Sequence, residues 1–119
     1  MIMDKKILVT GGSGLIGTYL KDVMPSACYV SSKDYNLLNE SEVKKMFIDI
    51  KPNIVIHLAA LVGGIHHNIE EPVRYFEENI IMNTLVLRES FKNNVDRFTG
   101  ILSSCIYPDN IKKFPIEED

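Results

Sequence analysis

Runs of consecutive apolar residues alternate along the chain with stretches in which apolar residues recur every three or four positions. Short continuous apolar runs are typical of parallel strands that are covered on both faces. Spacings of three and four place apolar side chains on one face of a helix. The pattern predicts strands over residues 6–10, 27–30, 54–60 and 97–102, and helices over residues 14–24, 40–50 and 72–92.

Capping signals bound two of these helices. Asn39 and Glu42 resemble a capping box, and Pro72 suits the first turn of a helix. Residues 61–68 are rich in glycine and histidine, so a loop is expected there. The apolar residues Ile16, Leu20 and Val23 share one face of the first helix, and those expected to point inward from the third helix are Val73, Phe76, Ile80, Leu87 and Phe91.

The alternation of strands and helices predicts an α/β fold with a parallel sheet, right-handed crossovers and helices on both faces. We expect a partial Rossmann-like sheet with the strand order 3-2-1-4. The ligand crevice would then lie between strands one and four. A length of 119 residues allows one domain at most, covering residues 1–119.

Composition excludes several classes of function. The net charge of −3 argues against nucleic acid or an anionic membrane surface as a partner. The sequence contains neither a signal peptide nor an apolar run long enough to span a bilayer. We therefore expect a cytoplasmic protein whose two cysteines are reduced. His57, His66 and His67 lack partners at metal-ligand spacing, so no metal site is expected.

The first strand leads into a turn with the spacing G-x-x-G-x-x-G, formed by Gly11, Gly14 and Gly17. A glycine turn between a strand and a helix exposes the first N–H groups of the helix, which favours a pyrophosphate there. A simple glycine-rich connection is the alternative. A nucleoside-triphosphate loop is excluded, because Thr18 and Tyr19 stand where that loop needs lysine and then serine or threonine.

The end of the second strand bears on which dinucleotide would bind. Ser31 and Ser32 can donate hydrogen bonds to a 2′-phosphate, and Lys33 adds positive charge, which favours NADP. An acidic residue at this position would instead bind the ribose 2′-hydroxyl and favour NAD. Asp34 is close enough to do so after a shift of one or two residues, and Lys33 is equally interpretable as a solvated loop lysine. The choice therefore stays open on the residues alone.

Several segments together resemble the extended short-chain dehydrogenase/reductase family and, within it, the GDP-L-fucose synthases, which are epimerase-reductases. His57-Leu58-Ala59-Ala60 and Asn79 are shared across the extended family. Two further segments are more specific to the fucose synthases. They are Val62-Gly63-Gly64-Ile65 and Ser103-Ser104-Cys105-Ile106-Tyr107-Pro108.

The resemblance implies the conversion of GDP-4-keto-6-deoxy-mannose to GDP-L-fucose, by epimerisation at C3 and C5 and reduction of the 4-keto group with NADPH. It implies catalytic roles for Ser103 and Cys105, a GDP-sugar substrate and a homodimer in the intact enzyme. The cofactor-binding residues that it implies are Gly11, Gly12, Ser13, Gly14, Leu15, Ile16, Gly17, Lys33, Asn36, Leu37, Leu58, Ala59, Ala60, Asn79 and Leu102.

These residue types fit the chemistry. A serine hydroxyl can donate to the oxygen that becomes an alkoxide, and a thiol of lowered pKa can move a proton beside a carbonyl. A structural hydroxyl at Ser103 and a small buried apolar side chain at Cys105 are the plainer alternatives.

The sequence departs from the family pattern in one respect, because no Tyr-x-x-x-Lys pair follows Tyr107. We expect the chain to be the front portion of such an enzyme, without its substrate domain and inactive alone. A standalone NADP-binding module is one alternative, and part of a related nucleotide-sugar epimerase or dehydratase is another.

Overall fold

The computed structural model describes residues 5–103, 106–110 and 114–116. Within these residues the chain forms a parallel four-stranded sheet and four helices. The α/β class and the parallel sheet expected from the sequence are confirmed. The strands are β1 (Ile7–Thr10), β2 (Cys28–Val30), β3 (Ile54–His57) and β4 (Arg97–Gly100), and the helices are α1 (Leu15–Val23), α2 (Glu40–Ile50), α3 (Ile65–Glu70) and α4 (Pro72–Lys92).

The strand order is β2-β1-β3-β4, whereas 3-2-1-4 was expected. The connection after β2 crosses back past β1, so that β3 pairs with the other edge of β1 and not with β2. The continuous apolar sequence of β3 accounts for this position, since a strand buried on both faces belongs in the middle of a parallel sheet. Val55 in β3 is fully buried. The crevice expected at a point of reversal therefore lies between β1 and β3, not between β1 and β4.

The core lies between one face of the sheet and the two helices α2 and α4, which pack against each other. Because a right-handed crossover in the opposite direction changes the face, α1 lies on the other side of the sheet. Leu8 of β1 and Val55 of β3 are completely buried beneath α2 and α4. The buried apolar residues that form this core are Leu8, Val30, Leu37, Val43, Met46, Phe47, Ile50, Val55, Leu85 and Val86.

Two element boundaries differ from those predicted. β3 ends at His57, three residues before the end of its apolar run, and Leu58, Ala59 and Ala60 form the start of a loop. The glycine- and histidine-rich segment is partly helical, because α3 begins at Ile65 after Gly64. The side-chain amide of Asn68 donates to the carbonyl groups of Gly63 and Gly64, each at 3.1 Å, and closes the first turn of α3.

The inward face of α4 was assigned wrongly from the sequence. The apolar stripe predicted to face inward on α4 is exposed, with Phe76 at 69% and Phe91 at 86%. Its buried residues are instead Leu85, Val86, Glu89 and Ser90. On α1, Ile16 and Val23 are also exposed. Apolar periodicity locates a stripe on a helix, but a helix with a second apolar stripe can turn either one toward the sheet. Among the described residues, no helix is both long enough and apolar enough to cross a membrane.

Candidate functional site

A cavity of about 600 Å³ opens at the carboxyl ends of β1 and β3. Its walls are the glycine turn after β1, the segment after β2, the loop after β3 and one side of α4. Most of the lining is apolar side chain and backbone, as in cofactor sites generally. The lining residues are Gly11, Ser13, Gly14, Leu15, Ile16, Gly17, Val30, Ser31, Ser32, Tyr35, Asn36, Leu37, Leu38, Leu58, Ala59, Ala60, Leu61, Val62, Glu78 and Met82.

Gly11 and Gly17 are required by the packing of the turn against the β3 loop and α1. Gly11 has a φ of 71°, and a Cβ atom there would lie 2.7 Å from the backbone nitrogen of Ala59. A Cβ atom on Gly17 would lie 2.6 Å from the carbonyl oxygen of Gly11. Both distances are shorter than any tolerable contact. Gly11 therefore lets the turn lie directly on the β3 loop, and Gly17 lets α1 lie directly on the turn.

Gly14 differs from these two glycines. It is the N-cap residue of α1 in an extended conformation, and an added Cβ atom would meet only the Gly11 carbonyl oxygen, at 3.2 Å. No side chain caps α1 at this end. At the start of α2, by contrast, the Asn39 side chain accepts hydrogen bonds from two N–H groups of the first turn. The first turn of α1 lines the cavity, so its uncapped N–H groups and the positive end of its dipole are placed to bind an anion.

The end of β2 supplies a negatively charged group beside the cavity. Asp34 accepts hydrogen bonds from the backbone N–H and the hydroxyl of Ser31, each at 2.8 Å. These two hydrogen bonds lower the pKa of the Asp34 carboxyl, so it is ionised at neutral pH. Ser31 and Ser32 line the cavity, whereas Lys33 is exposed outside the lining.

The loop after β3 is fixed to α4 by Asn79. Its Oδ1 atom accepts from the Leu61 N–H at 2.9 Å, and its Nδ2 atom donates to the Leu61 carbonyl at 2.9 Å. Nδ2 also donates to the Tyr75 carbonyl at 2.7 Å. With both ends of its amide engaged by the backbone, Asn79 holds the cavity wall from behind and is not itself part of the lining.

A buried polar group links β1, β3 and α4 beneath the cavity. The Oγ1 atom of Thr10 lies 2.6 Å from Nδ1 of His57, and Nε2 of His57 lies 2.9 Å from Oδ1 of Asn83. The Ala59 N–H donates to the same Thr10 oxygen at 3.4 Å. Burial lowers the pKa of His57, although the hydrogen bond to Asn83 opposes this, so the imidazole is neutral at neutral pH.

Many of the cofactor residues predicted from the sequence come together here. Those that line the cavity are Gly11, Ser13, Gly14, Leu15, Ile16, Gly17, Asn36, Leu37, Leu58, Ala59 and Ala60. Gly12, Lys33, Asn79 and Leu102 are outside the lining formed by the described residues. Ser103 follows β4 at the same edge of the sheet and is also outside the lining. Cys105 is outside the residues that the structure describes.

Sequence reasoning missed two residues of α4 that line the cavity, Glu78 and Met82. They are four positions apart and therefore share one face of the helix. Glu78 is adjacent to the predicted Asn79, so the helical period around Asn79 was the available signal. The Arg74 Nε atom lies 2.9 Å from a Glu78 carboxylate oxygen, which partly neutralises the charge.

These features fit an adenine dinucleotide. The open side of Gly14 and the uncapped start of α1 suit a diphosphate. The apolar segment around Leu37 suits a flat ring, and the carboxylates of Asp34 and Glu78 can accept hydrogen bonds from hydroxyl groups.

The chain was compared with known proteins. It is 40% identical over 121 residues to the GDP-L-fucose synthase of Dictyostelium discoideum, covering 96% of this chain and 38% of that protein. It is 37% identical over 107 residues to the GDP-L-colitose synthase of Yersinia pseudotuberculosis, covering 87% of this chain and 35% of that protein. The chain thus spans less than two fifths of the length of these relatives.

Solved structures agree with this result. The GDP-L-fucose synthetase of Naegleria fowleri, crystallised with NADP bound, superposes with a TM-score of 0.82 at 34% identity, covering 98% of this chain and 39% of that one. The resemblance to fucose synthases is thereby confirmed, and the NADP expectation agrees with the cofactor bound in this relative. Residues 7–119 match the model of the NAD dependent epimerase/dehydratase family. This chain belongs to the NAD dependent epimerase/dehydratase family.

Proposed function

We propose that residues 1–119 form the NADP-binding part of a GDP-L-fucose synthase, an enzyme that makes GDP-L-fucose from GDP-4-keto-6-deoxy-mannose. The similarity to the Dictyostelium and Naegleria enzymes supports this substrate class. Because the chain spans only 38% of the Dictyostelium enzyme, the reaction is assigned to the protein to which this part belongs.

The single observation that carries the proposal is the open side of Gly14 at the uncapped start of α1. We assign the cofactor diphosphate to this position, against the N–H groups of Leu15, Ile16 and Gly17. The loop of Leu58, Ala59 and Ala60 forms the opposite wall, beside the nicotinamide half. Asn36 and Leu37 flank the adenosine half.

The cofactor 2′-phosphate is assigned to the end of β2. Ser31 and Ser32 line the cavity and carry hydroxyl and amide donors for a phosphate. The exposed Lys33 can extend over a phosphate bound there. Asp34 is held against Ser31 by two hydrogen bonds, and its charge repels the same phosphate. The difference in affinity between NADP and NAD is therefore smaller here than at a site without the carboxylate.

The chemistry is assigned to the segment that follows β4. When bound, NADPH supplies the hydride that reduces the 4-keto group. Ser103 donates a hydrogen bond to the ketone oxygen, and Cys105 transfers a proton at the carbon atoms that are epimerised. Both assignments rest on the resemblance of this segment to the fucose synthases. Colitose synthesis is the second candidate reaction, because the Yersinia relative is of nearly the same similarity.

The experiment compares two glycines that occupy the same structural position in different helices. Gly14 and Gly64 are both N-cap residues in extended conformation, and neither has a side chain that could cap the N–H groups of its helix. A Cβ atom at Gly64 meets nothing within 4 Å. Replacing either by alanine costs only a few tenths of a kcal/mol up to about 1 kcal/mol of helix stability.

NADP affinity is measured by isothermal titration calorimetry for the wild type, Gly14→Ala and Gly64→Ala, and the midpoint of thermal unfolding is measured for each. We expect Gly14→Ala to weaken NADP at least about 10-fold, equivalent to 1.4 kcal/mol, because the methyl group occupies the place of the diphosphate. Gly64→Ala should bind like the wild type. Equal affinity in all three proteins, or no binding to the wild type, would contradict the proposal.

A further inference from the structure

We propose that His57 is a positioning residue that fixes the distance between the two walls of the cofactor cavity, acting through Thr10 and Ala59. The proposal rests on the proposed function, because it assumes that these walls hold the cofactor. His57 is 5% exposed and does not line the cavity, so it acts on the cofactor only through its neighbours.

The side chains of Asn83, His57 and Thr10 and the N–H of Ala59 form one series of hydrogen bonds. The donor and the acceptor in each of these hydrogen bonds can be assigned. Oδ1 of Asn83 is an acceptor, so Nε2 of His57 carries the proton and donates to it at 2.9 Å. Nδ1 is then unprotonated and accepts the hydroxyl proton of Thr10, at 2.6 Å. The Thr10 oxygen keeps a lone pair free, and the N–H of Ala59 donates to it at 3.4 Å.

This assignment is possible only with a neutral imidazole. A protonated His57 would donate from both nitrogens, and the Thr10 hydroxyl proton would lose its acceptor. The surroundings favour the neutral form, since His57 is buried and the ring of Phe98 lies beside it, with 6.0 Å between ring centroids. Thr10 is completely buried, so its hydroxyl depends on partners within the protein.

This series of hydrogen bonds ends at the two points where the walls of the cavity touch. Thr10 is the last residue of β1 and is followed directly by Gly11. The α-carbon of Gly11 lies so close to the Ala59 backbone that a Cβ atom would be 2.7 Å from the Ala59 nitrogen. The Leu58 N–H donates to the Thr10 carbonyl at 3.2 Å, and the Ala59 N–H donates to the Thr10 side chain. Together these two hydrogen bonds set how far the β3 loop stands from the glycine turn. Asn83 adds α4 to the same arrangement.

The first test removes only the hydroxyl group. Thr10→Val keeps the shape of the side chain and leaves Nδ1 of His57 and the Ala59 N–H without a partner, whereas Thr10→Ser keeps the hydroxyl. We expect Thr10→Val to weaken NADP at least about 10-fold and Thr10→Ser to weaken it less than about threefold. The midpoint of thermal unfolding is measured for both variants as a control. It shows whether a variant is partly unfolded at the temperature of the titration, which would lower the apparent affinity.

The second test observes the chain of hydrogen bonds without the cofactor. In 15N NMR spectra of the wild type, His57 should show a protonated Nε2 and an unprotonated Nδ1, and the Ala59 amide should exchange slowly with solvent. Asn83→Asp places a carboxylate beside Nε2, which raises the pKa of His57 and makes the ring doubly protonated. The Thr10 hydroxyl must then turn away, and Asn83→Asp should lose NADP affinity while it stays folded.

The outcomes separate the two proposals. A wild-type protein that does not bind NADP contradicts the proposed function, whereas the NMR and exchange results still test the hydrogen-bonded chain. A proton on Nδ1 of His57 in the wild type overturns the positioning role. So does a folded Thr10→Val protein that binds NADP as tightly as the wild type with unchanged exchange at Ala59.

Discussion

Lys33 and Asp34 are neighbouring residues of opposite charge at one end of the cavity, and they act on a bound phosphate in opposite ways. Asp34 is held by two hydrogen bonds from Ser31, which keep its carboxyl ionised. The Lys33 side chain is exposed and can move toward a phosphate. If the 2′-phosphate binds as proposed, the preference for NADP over NAD depends on the balance between these two side chains.

Replacing Lys33 by alanine should weaken NADP more than NAD, by about two- to fivefold in the ratio of affinities, because an exposed charge pair contributes about 1 kcal/mol or less. Asp34→Asn should change the ratio in the opposite direction. Titrations with both dinucleotides measure this ratio. Lys44→Ala is the control, since Lys44 is an exposed lysine on α2 that lies outside the cavity lining and pairs with Glu40 at 2.8 Å. An unchanged ratio in Lys33→Ala would remove Lys33 from the site.

His57 should make the stability of the protein depend on pH. Its pKa is lowered in the folded state by burial, so the unfolded chain binds a proton at about pH 6.5 and the folded protein does not. The free energy of unfolding should be fully maintained above pH 7 and should fall as the pH decreases from 6.5 toward 5. The slope contributed by this residue is at most about 1.4 kcal/mol per pH unit.

Urea denaturation at pH 7, 6 and 5 measures this dependence, with His57→Gln as the comparison. The variant should be less stable at pH 7 and should lose less stability on acidification. Parallel curves for the two proteins would show that His57 takes up its proton equally in the folded and unfolded states.

At the scale of elements, the start of α2 shows how a helix is fixed by polar side chains. The Asn39 Oδ1 atom accepts from the N–H groups of Ser41 and Glu42, at 2.9 and 3.3 Å, as the capping box predicts. The Glu42 carboxylate, however, accepts from the Asn36 N–H at 2.6 Å and not from Asn39. The cap therefore also fixes the segment from Asn36, which lines the cavity.

Asn39→Ala should lower the free energy of unfolding by about 1 kcal/mol, whereas Asn39→Asp should retain most of it. Chemical denaturation measures both. We further expect Asn39→Ala to weaken NADP, because the Asn36 segment loses its support. An alanine variant as stable as the wild type would show that the cap adds nothing to folding.

The elements were predicted well where one physical signal dominates. Continuous apolar runs located β1 and β3, and Asn39 located the start of α2. The order of strands was wrong, because apolar residues in β3 indicate burial without naming the neighbouring strand. α3 was missed, because it has only six residues and none of them is buried, so no apolar stripe marks it in the sequence.

For the site, the glycine spacing predicted the turn, and the resemblance indicated most of the lining. The particular role of each residue was not available. Asn79 was expected to contact the cofactor, but it holds the Leu61 backbone, and only coordinates reveal where an amide side chain points. The contrast between Gly14 and Gly17 likewise depends on how close the neighbouring backbone atoms lie to each glycine in the folded structure.

At the scale of the whole molecule, the apolar stripe on α4 is exposed over the length of the helix. Phe76, Ile80, Leu87 and Phe91 are each about half exposed or more. β4 is an edge strand in the described sheet, with Arg97 and Gly100 exposed. Exposed apolar patches and unpaired strand edges favour association between chains.

We expect this chain to self-associate as its concentration rises, which sedimentation velocity measures. Phe76→Glu combined with Phe91→Glu should weaken association at least about 10-fold, since each change places a charge in the apolar stripe. Ile48→Glu, at an exposed residue of α2, is the matched control for added charge. A monomer at every concentration, or equal effects of all these changes, would show that the stripe does not mediate association.

The contact between Gly11 and the backbone of Ala59 restricts how this cavity can evolve. These residues are 48 positions apart in the sequence, and Gly11 cannot gain a single carbon atom while the Ala59 backbone stays in place. A new cofactor preference is therefore more accessible through residues that surround the opening, such as Lys33 or Val62, than through residues beneath it. Relatives with altered specificity should accordingly vary in the surrounding loops and keep the same residues beneath the cavity.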